Sequence, residues 1–183
     1  MIEAMARKPV ARDAVLDAFE ELLIDVGERA ATLDAVAKRA GVSKGGLLYH
    51  FPNKEALIAA TLERLDRLAG EDLALMAAAA EGAAAYFIRS SLWSDSPMDR
   101  SFVAVTRLAE VAHEGARRRF SAIQQQWLDL IAADVGKAMA KAVLYMGDGL
   151  YFNAMWESGT TADRRGRHGD IKELLAAVER LRG

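Results

Sequence analysis

The run Ala40-Gly41-Val42-Ser43-Lys44-Gly45-Gly46-Leu47-Leu48-Tyr49-His50-Phe51-Pro52-Asn53-Lys54-Glu55-Ala56-Leu57 decides how the chain is read. Just upstream, Thr32 stands where a cap should be, ahead of a short helical stripe of Leu33, Val36, Ala37 and Ala40. Gly41 interrupts that stripe, and Ser43 caps a second short helix carrying Leu47 and Phe51. Two helices of about two turns joined through Ala40 to Ser43 make a helix-turn-helix pattern. Gly41 supplies the positive φ that the tight turn needs, and Val42 plugs the space between the helices. Gly45 and Gly46 sit in the first turn of the second helix, where each costs up to about 1 kcal/mol against alanine. A helix that gives up that stability needs its backbone close to something, a DNA backbone or groove floor being the obvious candidate and a helical hairpin that merely packs the alternative.

The surroundings are helical throughout. The chain has only three prolines in 183 residues. No stretch alternates in the β-branched manner of a strand. The 3.6-residue period predicts about nine helices. Val15, Phe19, Leu22, Leu23 and Val26 form a stripe that Gly27 ends. Pro52-Asn53 breaks the chain before a long helix with Leu57, Thr61, Leu65 and Leu68. Glu81-Gly82 marks a corner, Ser91 to Ser96 a loop, and Ser96-Pro97 the start of the next helix. Gly115 and Gly136 bracket a further amphipathic helix. The last helix is expected to start at Asp170, with Glu173 completing a capping box.

Composition excludes several classes. With 52% hydrophobic and 27% charged residues the chain is an ordinary globular protein, not a disordered one. The absence of cysteine removes disulfides, zinc fingers, iron–sulfur clusters and thiol catalysis. No uncharged run is long enough to span a bilayer, and Arg7 and Lys8 precede any long apolar stretch. No membrane association, no secretory signal and a cytoplasmic location are therefore expected. Net charge is −2, yet Arg29, Lys38, Arg39, Lys44 and Lys54 face only Asp34 within residues 29–54. Arg7, Lys8 and Arg12 add a basic arm. A basic segment on a mildly acidic protein is the electrostatic footprint of nucleic-acid binding.

The segment from Ala40 to Leu57 resembles the DNA-binding signature of the tetracycline-repressor (TetR) family of bacterial transcription regulators. The likeness extends back through Thr32, Val36 and Ala37 to the Phe19 helix, over roughly residues 10–60. It implies an all-α fold, with a three-helix DNA-binding domain over 1–56 and a helical effector-binding and dimerisation domain over 57–183. It also implies contacts. Thr32 and Ser43 stand at helix N-termini, where Thr32 would bond a phosphate. Lys44 occupies a base-reading position suited to guanine O6 and N7. Gly45 and Gly46 allow close approach, and Tyr49, His50 and Lys54 match phosphate-contacting positions. Leu48 departs from the family, in which many members carry tyrosine; it offers a thymine methyl a packing surface instead.

Beyond that segment the chain resembles the family in architecture alone. Residues 137–157 read as a helix apolar on two faces, one marked by Ala138, Ala142, Tyr145, Gly149, Phe152 and Trp156. Such a helix buries one face in its subunit and the other against something else. The final helix, with Leu174, Leu175 and Val178, is its natural companion in a four-helix homodimer interface. Trp93, Phe102, Phe120, Trp127 and Met146 supply surface for an apolar effector cavity, although such stripes are more often plain core. His113 is a polar candidate for the same effector cavity, although its place four residues after Ala109 on the apolar side of its helix suits a satisfied core histidine better than a ligand.

Enzyme readings fail. His113-Glu114 begins a zinc-protease motif whose second histidine position is Arg117. Gly41 to Gly46 has phosphate-loop spacing, but Leu47 and Leu48 stand where Lys-Ser/Thr is needed. No cofactor is expected. The sequence thus points to a ligand-released repressor that binds a palindromic operator in double-stranded DNA as a homodimer, with a small apolar or amphipathic effector. The alternative is a helical small-molecule-binding or interaction protein whose DNA-binding unit is degenerate. A DNA-compacting protein is disfavoured by the net charge.

Overall fold

The computed structural model describes the backbone of residues 3–111, 113–156 and 161–181, and side chains over 11–111, 113–154 and 170–181. The described residues form nine helices and no strand: α1 (Glu3–Val26), α2 (Leu33–Arg39), α3 (Lys44–His50), α4 (Lys54–Ala77), α5 (Ala83–Ser90), α6 (Pro97–Glu110), α7 (Glu114–Val135), α8 (Lys137–Trp156) and α9 (Thr161–Leu181). The chain is all-α, as its periodicity predicts. None of these helices is long and apolar enough to cross a membrane.

Three boundaries differ from expectation. The basic stretch around Arg7 and Lys8 is not a free arm but the first turns of α1. Gly115 lies inside the first turn of α7, because His113 accepts the Ala116 N–H at Nδ1 (3.2 Å) and caps the helix from outside it. Helix α9 begins at Thr161, so Asp170 is an interior residue and not its cap. Gly166 and Gly169 disfavour helix by about 1 kcal/mol each, but the arginines and alanines around them are good helix formers.

The chain packs as two units. One comprises residues 1–68 and 97–120; the other comprises 69–96 and 121–183. In the first, Val15, Phe19, Leu22 and Leu23 recur at helical spacing along α1 and are all buried. They join Val36 and Ala37 of α2, Leu47 of α3, Leu57, Ile58 and Leu65 of α4, and Val103, Ala104 and Leu108 of α6 in the core. Fully burying one such side chain stabilises the fold by about 1.5–3 kcal/mol. Gly27 takes φ +80° and ends α1.

In the second unit, α5 packs on α8 and α9, with Phe87, Ile88, Val143, Leu150 and Val178 buried. Gly147 is required here. A Cβ at that position would collide with the Phe87 ring and lie 2.7 Å from Ser91 Oγ, so α8 approaches α5 closely only as glycine. Asp72 accepts from Tyr86 Oη (3.0 Å) and Trp127 Nε1 (3.1 Å). Burial pushes the Asp72 carboxyl up despite these two bonds.

Candidate nucleic-acid interface

The turn between α2 and α3 is built from backbone hydrogen bonds that glycine makes possible. Gly41 N–H donates to Lys38 O (3.3 Å) and Val42 N–H to Ala37 O (3.0 Å), with Gly41 at φ +67°. That pair of bonds is a Schellman ending, which satisfies the last carbonyls of α2 and turns the chain sharply. Each helix start is capped as expected. Thr32 Oγ1 accepts from Ala35 N (3.2 Å) and Ser43 Oγ from Gly46 N (3.1 Å). Both hydroxyls keep their own proton to donate outward. Asn53 Oδ1 caps α4 through Ala56 N (2.8 Å), a role the sequence reading missed behind the Pro52 break.

Helix α3 is anchored by Leu47, which is fully buried, while Lys44, Gly45, Gly46, Leu48 and Tyr49 are exposed. Tyr49 is 68% exposed and meets His50 edge-on at 5.2 Å; His50 itself is half-buried. The two glycines differ. A Cβ on Gly46 would press on the capping Ser43 Oγ at 3.2 Å, whereas one on Gly45 would meet nothing within 4 Å. Gly46 therefore has a reason inside the fold and Gly45 has none.

The cations are less bare than their sequence window suggests. Lys44 Nζ lies 2.9 Å from Asp34 Oδ1, with both side chains exposed. Exposed pairs of this kind are worth about 0–1 kcal/mol, so a phosphate competes readily for Lys44. Lys54 is held more firmly: its Nζ sits 2.6 Å from Glu28 Oε1 and also donates to the Glu28 carbonyl at 2.6 Å. Arg39 Nη1 is 3.1 Å from both Glu21 and Asp25, whose hydrogen bonds hold its pKa up. Glu21, Asp25 and Glu28 lie on α1 or just after it, outside residues 29–54.

The residues expected around an effector fall in both units. Phe102 and Phe120 meet at 5.0 Å in the first unit. In the second, Trp93 lies against Tyr151 (5.9 Å), Trp127 against Phe87 (5.6 Å), and Met146 is half-buried on α8. His113 is not a core histidine; it is a helix cap outside α6 and lines an open cleft of the first unit.

On α8 the two faces separate as the period predicts. Ala140, Val143, Leu144, Gly147 and Leu150 are buried. Ala142, Tyr145 (66% exposed), Gly149 and Phe152 (46% exposed) face outward, and a Cβ on Gly149 would meet nothing within 4 Å. Leu174 and Leu175 of α9 are half-buried. Val178 is fully buried within its own unit, so it belongs to the core and not to an exposed face. The Trp156 side chain lies outside the described residues.

Comparison with known proteins agrees with this geometry. The family model described as "Bacterial regulatory proteins, tetR family" matches residues 15–61. A second, "Tetracyclin repressor-like, C-terminal domain", matches residues 81–179, more than half of the chain. The HTH-type transcriptional regulator RutR of Escherichia coli (strain K12) is 42% identical over 60 residues, which is 33% of this chain and 26% of RutR. The HTH-type transcriptional regulator BetI of Yersinia pestis (strain Pestoides F) is 36% identical over 64 residues, 35% of this chain and 32% of BetI. The likeness thus spans about a third or less of those curated relatives. Among solved structures, the multidrug binding protein EbrR complexed with malachite green aligns over 93% of this chain and 96% of its own, at TM-score 0.66 and 19% identity. A transcriptional regulator from Rhodococcus sp. Rha1 aligns over 91% and 95%, at TM-score 0.60 and 20% identity. The chain belongs to the TetR family of bacterial DNA-binding transcriptional regulators.

Proposed function

We propose that the protein is a cytoplasmic homodimeric repressor that binds a palindromic operator and leaves it when a small apolar or amphipathic molecule binds. In this reading residues 1–56 engage DNA, through Thr32, Ser43, Lys44, Gly45, Gly46, Leu48, Tyr49, His50 and Lys54. Residues 57–183 dimerise and sense. The observation that carries it is the outward face of α8, where Ala142, Tyr145, Gly149 and Phe152 form an apolar stripe that the subunit leaves in solvent. A second copy, paired about a two-fold axis with Leu174 and Leu175 alongside, covers that stripe isologously. Two-fold symmetry in the protein calls for two-fold symmetry in the operator, with recognition helices about 34–36 Å apart. EbrR, which shares the fold, is complexed with malachite green, and this supports a small-molecule effector.

The test joins assembly to DNA binding. Sedimentation should give a dimer, and that dimer should shift DNA from upstream of its own gene at concentrations that leave a scrambled sequence free. An effector should weaken operator binding, and operator DNA must weaken effector binding by the same factor. A monomer, or equal affinity for scrambled DNA, overturns the reading.

A further inference from the structure

The first unit contains an open cleft of about 600 Å³, lined by Glu28 and Arg29 after α1, Ile58 of α4, Leu108 of α6, and Val111 and His113. Its floor is apolar, since Ile58 and Leu108 are core residues, and Val111 remains 53% exposed at its mouth. The polar groups are unequal. Glu28 is already engaged by Lys54 through both its carboxylate and its carbonyl. Arg29 is exposed and makes no hydrogen bond or ion pair among the described residues. His113 uses Nδ1 to accept the Ala116 N–H, which leaves Nε2 of the neutral ring as an N–H donor. The cleft therefore presents an apolar floor, two uncommitted donors and no uncommitted carboxylate. That combination selects an anion with an apolar body.

We infer that this cleft binds a small amphipathic carboxylate, its carboxylate on the Arg29 guanidinium and His113 Nε2, and its apolar body on Ile58, Leu108 and Val111. The planar fork of arginine matches the two oxygens of a carboxylate, which a neutral amide or alcohol lacks. The walls come from the turn that leads into α2, from α4 and from α6, so an occupant would tie α6 to the DNA-binding helices. This assignment deepens the effector reading by extending the sensing site to Glu28 and Arg29 of the DNA-binding segment, and depends on that reading only for the consequence at the operator.

The probes are benzoate and octanoate, with benzamide and octanol as neutral counterparts. Binding is followed by methyl NMR of Ile58, Leu108 and Val111 in the full chain, and operator affinity is measured separately. Expected are saturable shifts of those methyls with at least one acid. Affinity should be at least tenfold weaker for its neutral counterpart, in Arg29→Gln and in Val111→Glu, two exposed positions whose change spares the core. Unmoved cleft methyls with both acids overturn the assignment, as does equal affinity in Arg29→Gln. An acid that binds the cleft but leaves operator affinity unchanged supports the site and removes its regulatory consequence. Release of the operator with silent cleft methyls overturns the site and leaves the effector reading standing.

Discussion

Ser101 on α6 donates its hydroxyl proton to a carboxylate oxygen of Glu20 on α1, and both side chains are buried. The second Glu20 oxygen faces Arg64 Nη1 of α4 at 3.1 Å, and the same nitrogen lies 2.6 Å from Asp17. Three helices that adjoin the DNA-binding pair are thus fastened through one carboxylate. Burial is the strongest influence on Glu20 and raises its pKa; the Ser101 hydrogen bond and the Arg64 charge pull it partly back.

Ser101→Ala removes the donor and leaves a buried carboxylate oxygen short of a partner. Destabilisation near neutral pH is expected at about 1–3 kcal/mol in urea unfolding. Losing the bond also lets the folded-state pKa of Glu20 climb further. A carboxyl raised in this way contributes most stability below its unfolded value near 4.5 and loses it as pH rises through the folded value. The penalty of Ser101→Ala should therefore be smaller at about pH 4 than at about pH 7. Equal penalties at both would show that the ionised carboxylate is not what the serine serves.

Lys44 and Lys54 should fail differently. Lys44→Ala is expected to cost about 1–3 kcal/mol per half-site and to relax preference at one base pair. Asp34→Asn, which frees Lys44 from its 2.9 Å partner, should tighten binding to matched and mismatched DNA alike. Lys54→Ala should weaken binding to every sequence and flatten the salt slope by about one for each phosphate it no longer neutralises. Anisotropy titrations at several salt concentrations, on matched and mismatched duplexes, separate these outcomes. A uniform loss for Lys44→Ala rules out base reading by that side chain.

Two glycines on α8, two residues apart, make opposite forecasts. Gly147→Ala drives a methyl into Phe87 and Ser91, and overpacking of this kind costs about 1–3 kcal/mol. Gly149→Ala meets open space and should leave the monomer as stable or more so, by up to about 1 kcal/mol from helix propensity. Gly149→Arg should fold, sediment as a monomer and lose tight binding to a palindrome. If it remains dimeric, the interface lies elsewhere.

Tyr86 should ionise well above the ordinary tyrosine value of 10. Burial first, then the charge of Asp72 and the hydrogen bond to it, push its phenol up to about 12. Alkaline absorbance titration of Tyr86→Phe against the unmodified chain isolates its step. Asp72→Asn should move that step part of the way back toward 10, because burial remains. An unchanged step would mean that Asp72 contributes nothing there.

Local signals in the sequence were enough for the DNA-binding pair. Thr32, Gly41 and Ser43 act on backbone groups within a few residues of themselves, so their roles are legible from neighbours alone. The charge of the site was not legible in the same way. Glu21, Asp25 and Glu28 reach Arg39 and Lys54 only once the chain has folded, and the basic window of residues 29–54 stops short of them. Periodicity found both faces of α8 but misplaced Val178, because a stripe shows that a side chain is buried and not which surface covers it. His113 was misread for a simpler reason. The helix carrying Ala109 ends at Glu110, so the four-residue spacing no longer implied a shared face.

The empty space above Gly45 bears on how such a regulator changes over generations. Many positions in α1 to α4 are fixed by the core, Leu23, Val36, Leu47 and Leu57 among them. Position 45 is exposed, and a side chain there would touch nothing in its own subunit. An alanine or serine would even favour the helix by a few tenths to about 1 kcal/mol. Nothing in its own subunit asks for glycine there, and in the proposed reading only the operator does. In that reading residue 45 is a dial on which partner sequences can be exchanged while the scaffold stays still, and a library randomised there should sort by target preference with little change in folding.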